Sequence, residues 1–259
     1  PLIMVTFSSR GLTPFFQPQG VAILGATTDP GKLGHHVLKN LLTSKYLGQL
    51  YPIHPRLSSI FGLPVYPNLQ TVPDPVDLAI LAVRAQLCPQ LLHECSERGI
   101  QHVIIISGGF SETGQEGRTL EKQLVQIAQE YKMRIIGPNC VGTQNPHRNF
   151  NGSFIVRAAK GDIGLVTQSG ALGHAMIIEM NTLNTGLSKF ISLGNACDVS
   201  IAECIEYLTK DPQTRVIMVY VEGVTQGRTF VTSLKRAAQT KPVLLVKGGV
   251  SKQGSKAVA

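Results

Sequence analysis

The residues of this chain best suited to chemistry are small ones placed where strands turn into helices, and the chemistry they suit is the holding of phosphate. The segment Gly25-Ala26-Thr27-Thr28-Asp29-Pro30-Gly31-Lys32-Leu33-Gly34 follows the apolar run Val21–Leu24 and leads into a helical pattern. A strand that turns directly into a helix presents unpaired N–H groups to an anion. Gly25 suits the sharp turn, and Gly31 and Gly34 suit close approach of a ligand and of a strand. The spacing is not Gly-x-Gly-x-x-Gly, so nucleotide binding is the expectation without a dinucleotide fingerprint. A tight structural turn is the alternative.

What is missing nearby narrows the ligand. A site for NAD places Asp or Glu about 20 residues further on, where it holds the ribose hydroxyls. From Pro30 through Pro73 there is no acidic residue. The next strand pattern ends instead in Ile53-His54-Pro55-Arg56, with Lys32, Lys39 and Lys45 close in sequence. A guanidinium there can pair bidentately with phosphate. The ligand is therefore expected to carry a phosphate on or near its ribose, as NADP and coenzyme A do. A solvated surface charge is the alternative for Arg56.

Three further apolar runs end in loop-forming residues: Ala82-Val83-Arg84-Ala85, Ser107-Gly108-Gly109-Phe110 and Gly137-Pro138-Asn139-Cys140-Val141-Gly142. Ligands of open α/β sheets lie outside the carboxyl ends of the strands, so these segments should line one crevice. Phe110 reads equally well as core packing. Cys140 invites a nucleophile reading, but no partnered base is evident, and a buried structural thiol is the expectation. Thr167-Gln168-Ser169-Gly170-Ala171-Leu172-Gly173 repeats the first design: Ser169 fits a helix N-cap, and amides from Gly170 and Ala171 onward would face a phosphate. Neither Gly-x-Ser-x-Gly nor a Walker pattern occurs here, which excludes the serine-hydrolase and P-loop readings. Glu222 closes the run Val216–Val221. A carboxylate beside an anion site is costly unless it meets a cation or a histidine, so a functional role is expected, with a solvated strand end as the alternative.

The elements that must position these residues follow one rhythm: short apolar runs, glycine turns and amphipathic stretches. Strands are expected at Val21–Ala26, Gln49–Ile53, Val76–Val83, His102–Ser107 and Arg134–Gly137, then at Ile163–Thr167, Leu187–Leu193, Arg215–Glu222 and Pro242–Lys247. Helices are expected at Lys32–Ser44, Gln86–Arg98 and Gln115–Tyr131, then at Ala171–Thr182, Ser200–Lys210 and Arg228–Gln239. Runs such as Val103-Ile104-Ile105-Ile106 lack alternation, as strands buried on both faces of a parallel sheet must. The turn-rich segment Gly48–Asp74 is expected to lack a long helix. The fold class is α/β with mainly parallel sheets, in two domains, 1–150 and 151–259.

Composition removes other classes. The 259 residues carry 24 Lys+Arg against 16 Asp+Glu, a formal charge of +8, with 43% hydrophobic and 15% charged residues. Such a chain collapses rather than staying disordered. No apolar run reaches the roughly 18 residues that span a bilayer, so no membrane contact is expected. The basic residues are scattered and there is no Trp, which favours a phosphate-rich small ligand over nucleic acid. Five cysteines without a CxxC argue against a disulfide framework and against a metal site, and for a reducing compartment. Pro1–Phe16 has no apolar segment followed by a cleavage site, so the cytoplasm is expected. The small, polar stretch Lys247–Ala259 reads as a chain cut within a larger protein.

Taken together, the motifs resemble the NDP-forming acyl-CoA synthetases, the superfamily of the succinyl-CoA synthetase alpha subunit, over roughly Thr13 to the end. Ser192-Leu193-Gly194-Asn195 and Tyr220-Val221-Glu222-Gly223 join those already quoted. The resemblance implies a Rossmann-like CoA-binding domain followed by a flavodoxin-like domain. It also implies a reaction: carboxylic acid, CoA and ATP are interconverted with acyl-CoA, ADP and phosphate through an acyl-phosphate, a histidine carrying the phosphoryl group. Gly25, Ala26, Thr27, Thr28, Gly31, Lys32, Leu33, His54, Pro55, Arg56, Val83, Arg84, Ser107, Gly108, Gly109, Phe110 and Asn139 would hold CoA. Ser169, Gly170 and Ala171 would hold phosphate, and Glu222 would orient the histidine.

Departures from the family pattern are plain. His54-Pro55-Arg56 stands for Asn-Pro-Lys or Asn-Pro-Arg, Val83-Arg84-Ala85 for Val-Pro-Ala, and Gly249-Val250-Ser251 for Gly-Arg-Ser. The family's Ser-His-Thr-Gly segment would fall beyond Ala259, so this chain alone is expected to lack turnover. ATP, ADP and Mg2+ would bind to an ATP-grasp part, a beta-type domain or subunit, with CoA and an acyl substrate as the small-molecule partners. An oligomer is expected. A CoA-sensing regulatory module, for example of a protein-lysine acetyltransferase, is the alternative, followed by an NADP-dependent oxidoreductase.

Overall fold

Residues 11–249 are described by the structure, a computed structural model. The readings made for Pro1–Arg10, for the stretch from Val250 onward and for Val250-Ser251 lie outside them.

In the first half, β1 (Gly20–Leu24), α1 (Leu33–Thr43), β2 (Gln49–Ile53), β3 (Ser59–Ile60), β4 (Leu63–Pro64), β5 (Leu78–Leu81), α2 (Cys88–Glu97), β6 (His102–Ile105), α3 (Gln115–Glu130) and β7 (Arg134–Ile136) follow one another. The parallel strands lie in the order β2-β1-β5-β6-β7. Every residue of β1 and of β5 is buried, as the unbroken apolar runs require of strands with helices on both faces. The order reverses between β1 and β5, which opens a crevice at their carboxyl ends. Only short elements occupy 48–74, chiefly the small antiparallel pair β3–β4.

The second half holds β8 (Gly142–Asn145), β9 (Phe150–Ser153), β10 (Lys160–Thr167), α4 (Gly170–Thr182), β11 (Leu187–Ser192), α5 (Ile201–Lys210), β12 (Val216–Val221), α6 (Gly227–Ala238) and β13 (Val243–Lys247). Its sheet runs β13-β12-β10-β11-β8-β9. Counted in chain order, the four parallel strands repeat the winding of the first sheet, with the reversal between β10 and β12.

The hairpin β8–β9 straddles residue 150, and its first strand pairs antiparallel with β11. No apolar alternation marks it, because its buried polar side chains spend their hydrogen bonds on backbone. Thr143 Oγ1 donates to the Phe15 carbonyl (2.8 Å), Asn145 Nδ2 to that of Phe16 (3.1 Å) and Gln144 Nε2 to that of Val156 (2.9 Å). Asn40 of α1 donates to the carbonyls of Ser153 (2.8 Å) and Ile155 (2.9 Å), and Arg134 meets Asp198 (3.0 Å) and Glu203 (2.7 Å). One apolar cluster runs from Ile23, Val37 and Ile104 to Val166, Ile191 and Val199, so the two sheets share a core. Among the described residues no helix is long and apolar enough to cross a membrane.

Candidate functional site

The first crevice is built from the loop after β1 outward. Gly25 has φ +88°, and a Cβ there would stand 2.4 Å from the Ala82 carbonyl oxygen. The turn therefore needs glycine both for its backbone and for its neighbour. A Cβ on Gly34 would stand 2.0 Å from the Gly25 carbonyl oxygen, so this glycine lets α1 start directly against the strand end. Between them Asp29 organises the loop: its Oδ1 accepts from the Gly31 amide (2.8 Å), and its carbonyl accepts from that of Lys32 (3.1 Å). The first helical turn has no side-chain cap, which leaves the amides of Leu33 and Gly34 without an intrahelical partner.

A cavity of about 690 Å³ lies beside this loop and collects residues from four segments. Gly25, Thr27 and Lys32 come from the loop, His54, Pro55 and Arg56 from the end of β2, and Val83 and Arg84 from the end of β5. The sequence had singled out all eight. Among the described residues, Lys32, Arg56 and Arg84 have no ion-pair partner. Asn68, Leu69, Leu87, Gln90, Leu91 and Glu94 close the other side, and the loop's Asp29 joins them. Sequence reasoning missed this wall. Leu87, Gln90, Leu91 and Glu94 recur at helical spacing on α2 and the turn before it, a pattern that reads as an ordinary amphipathic face.

Other singled-out residues lie elsewhere. Ala26 is fully buried in the shared core, while Thr28 and Gly31 of the loop and Leu33 at the start of α1 do not line the cavity. Phe110 is fully buried in the cluster around Leu81 and Ala85, the packing role weighed for it. The buried Ser107 hydroxyl donates to the Val83 carbonyl and so ties the β5 and β6 ends together. The amides of Gly109 (2.6 Å) and Phe110 (3.1 Å) donate to Glu112 Oε1, a carboxylate of the chain's own. Burial raises the Glu112 carboxyl, but hydrogen bonds from Asn195 and from these amides outweigh that and hold it below its ordinary range.

A polar knot joins the two halves at this level. Asn195 Nδ2 donates to Glu112 and Glu121 (2.7 Å each), and its Oδ1 accepts from Asn139 Nδ2 (3.3 Å). Gly194, at φ +53°, presses so closely on the Pro138 and Asn139 carbonyls that a Cβ would stand 2.3 Å from either oxygen. Cys140 is buried, its Sγ 3.4 Å from the Ile105 carbonyl, and burial pushes the thiol up to about 12. That is an inert packing thiol.

The second junction lies where β10 meets α4. Ser169 caps the helix, its Oγ accepting from the Leu172 amide (3.3 Å), and its own amide donates to Thr167 Oγ1 (3.0 Å). The first bond inside the helix runs from Gly173 to the Ser169 carbonyl, so the amides of Gly170 and Ala171 stay unpaired within it. Gln168 fixes the neighbouring strand end: its Oε1 accepts from the amides of Glu222 (2.6 Å) and Gly223 (3.0 Å). Glu222 is thereby held next to the α4 N-terminus. Partial burial raises its carboxyl, against the hydrogen bond from Tyr220 and the charge of Lys247.

Known proteins carry the same two parts. Residues 19–146 match the CoA binding domain, and residues 160–259 match the succinyl-CoA ligase like flavodoxin domain. The alpha subunit of the ADP-forming acetate–CoA ligase II of Pyrococcus furiosus is 44% identical over 95% of this chain and 53% of its own length. The ADP-forming 4-hydroxybutyrate–CoA ligase of Nitrosopumilus maritimus is 34% identical over 95% of this chain and 36% of its own length. A dinucleotide-forming acetyl-coenzyme A synthetase 1 of Ca. Korarchaeum cryptofilum, solved with phosphate and ADP, superposes with a TM-score of 0.91 at 35% identity, over 96% of this chain and 54% of that one. Fold and site thus define an α/β protein in which a CoA-binding domain is joined to a succinyl-CoA-ligase-like flavodoxin domain. The chain belongs to the NDP-forming acyl-CoA synthetases, and it spans about half the length of the alpha subunit it matches (53%).

Proposed function

We propose that this chain is the CoA-binding part of an enzyme that interconverts a carboxylic acid, CoA and ATP with acyl-CoA, ADP and phosphate. The observation that carries this reading is the first crevice, where three unpaired cations face one cavity at the carboxyl ends of β1, β2 and β5. A nucleotide bearing a ribose phosphate matches these three cations, with the carboxylates of Asp29 and Glu94 elsewhere in the same wall. Arg56 takes the 3′-phosphate of CoA, while Lys32 and Arg84 take the pyrophosphate. The residues present fit such a ligand in charge and in the size of the cavity.

The second junction suits a smaller anion. Two helical amides and a capping serine can hold the phosphate that CoA displaces from an acyl-phosphate, and Glu222 stands where it would orient a phosphoryl-carrying histidine. That histidine, with the ADP and Mg2+ sites, would belong to an ATP-grasp partner assembly and to the rest of the enzyme. Among the described residues, no three His, Cys, Asp or Glu side chains gather in a way that could hold a metal.

Titration calorimetry with CoA, dephospho-CoA and NADP tests the reading. CoA is expected to bind at micromolar concentration, dephospho-CoA more weakly and NADP not at all. Heat from NADP with none from CoA overturns it.

A further inference from the structure

Two imidazoles outside the cavity wall hold the first loop. His35 and His36 occupy the opening turn of α1, and neither lines the crevice. His35 Nδ1 lies 3.1 Å from the carbonyl oxygen of Thr28, and His36 Nε2 lies 2.8 Å from that of Pro30. A carbonyl oxygen can only accept, so in both contacts the ring nitrogen carries the hydrogen. The neutral His35 is then the Nδ1–H tautomer and the neutral His36 the Nε2–H tautomer.

The surroundings reinforce this arrangement. The two rings meet nearly at right angles with centroids 5.3 Å apart, and Phe61 stands edge-on to His35 at 5.0 Å. Phe61 is 46% exposed and has φ +50° at the turn of the β3–β4 hairpin, a costly backbone for a bulky residue. Packing on His35 gives that aromatic a purpose. Apart from the hydrogen bonds that Asp29 makes, the loop has no packing to order it, since every residue from Thr28 to Leu33 is exposed.

We propose that His35 and His36 are positioning residues that latch the Thr28 and Pro30 carbonyls and so hold the loop amides ready for the ligand's phosphates. The inference rests on the CoA reading above. Its physical basis is preorganisation: a loop ordered before binding spares the complex the entropy of ordering it.

Leu and amide variants test it at a pH where both rings are neutral. Asn can place its amide nitrogen near the position of Nδ1, and Gln can place its own near Nε2. His36→Leu should weaken CoA about fivefold to tenfold, the weight of one well-made hydrogen bond and the order it brings. His36→Gln should stay within about twofold of the parent protein. His35→Leu and His35→Asn should behave in the same way. His35 is buried and its Leu variant could fold poorly, so the half-buried His36 decides the matter by itself if that happens. Nitrogen-15 NMR of the unliganded protein should find the hydrogen on Nδ1 of His35 and on Nε2 of His36. Parent-like CoA binding by His36→Leu, a Gln variant as weak as the Leu one, or the opposite tautomers would overturn the latch. If the parent protein binds no CoA, the CoA reading has failed, and the tautomers then decide the latch without any ligand.

Discussion

From Gly25 to Lys32 the first junction winds through eight residues, all exposed or half-exposed except the buried Ala26, whereas Gln168 and Ser169 alone separate β10 from α4 in the second. The long loop has no side-chain cap on its helix and is held by its own Asp29 and by two histidines. The short one is closed by Thr167, Ser169 and Gln168, whose side chains satisfy the backbone around them. The two sheets wind in the same order, so the difference lies in the connection and not in the scaffold. A long, open loop makes one wall of a large cavity, which suits a nucleotide. A tightly capped turn exposes only two amides, which suits a single phosphate.

Packing at the two helix starts gives the largest expected contrast. Gly34→Ala drives a Cβ against the Gly25 carbonyl and should cost about 3 kcal/mol in chemical denaturation, because backbone cannot step aside. In Gly170→Ala the new atom meets the Val141 side chain at 2.6 Å, which can rotate; about 1 kcal/mol is expected there. Equal losses would mean that the junctions do not differ in how their helices dock.

Charge reversal separates the ligands. Arg56→Glu should weaken CoA about thirtyfold and dephospho-CoA no more than about threefold, as loss of one charged contact predicts. Equal losses for the two ligands would remove Arg56 from the 3′-phosphate. Next in size is Ser169→Ala, which deletes the α4 cap and should lower stability by about 1 kcal/mol while leaving CoA affinity unchanged. A change in CoA affinity would show the junctions to be coupled.

The smallest effect concerns the far end of the first sheet. His102 starts β6, and its buried Nε2 has no hydrogen-bond partner. Burial lowers its affinity for a proton, outweighing the hydrogen bond with Gly11 and the charge of Asp77, while Arg134 lowers it further. The unfolded chain therefore takes up this proton first as pH falls. The related stability is complete above the ordinary histidine range, about 6.5, and is lost as acidification proceeds below it. His102→Leu should flatten that part of the melting-temperature profile between pH 7 and pH 5, and an unchanged slope would assign the loss to other groups.

Much of this arrangement could be read from the residues. Each of the nine strands expected from apolar runs is present within a few residues of its limits, and so is each of the six helices. The Ser169 cap and the crevice membership of Arg56 and Arg84 were legible too, because both follow from what immediately precedes a helix or ends a strand. The β8–β9 hairpin was not. Its Thr143, Gln144 and Asn145 are buried on hydrogen bonds to distant backbone, and a pattern of apolar residues cannot register that kind of burial. The Glu112 carboxylate on the Gly109 and Phe110 amides was equally hidden, since the pairing depends on how one loop folds over itself.

By itself the sequence determined which segments could be strands buried on both faces, where glycine had to stand, and that no carboxylate follows the first loop. These are local matters, settled by side-chain size, backbone freedom and charge within a few residues. Only the tertiary structure decided which loops share a crevice, that α2 supplies one wall with Glu94 in it, and that His35 and His36 turn back upon the loop they follow. Those outcomes depend on strand order and helix docking, where small free energies from residues far apart in the chain add up to one arrangement.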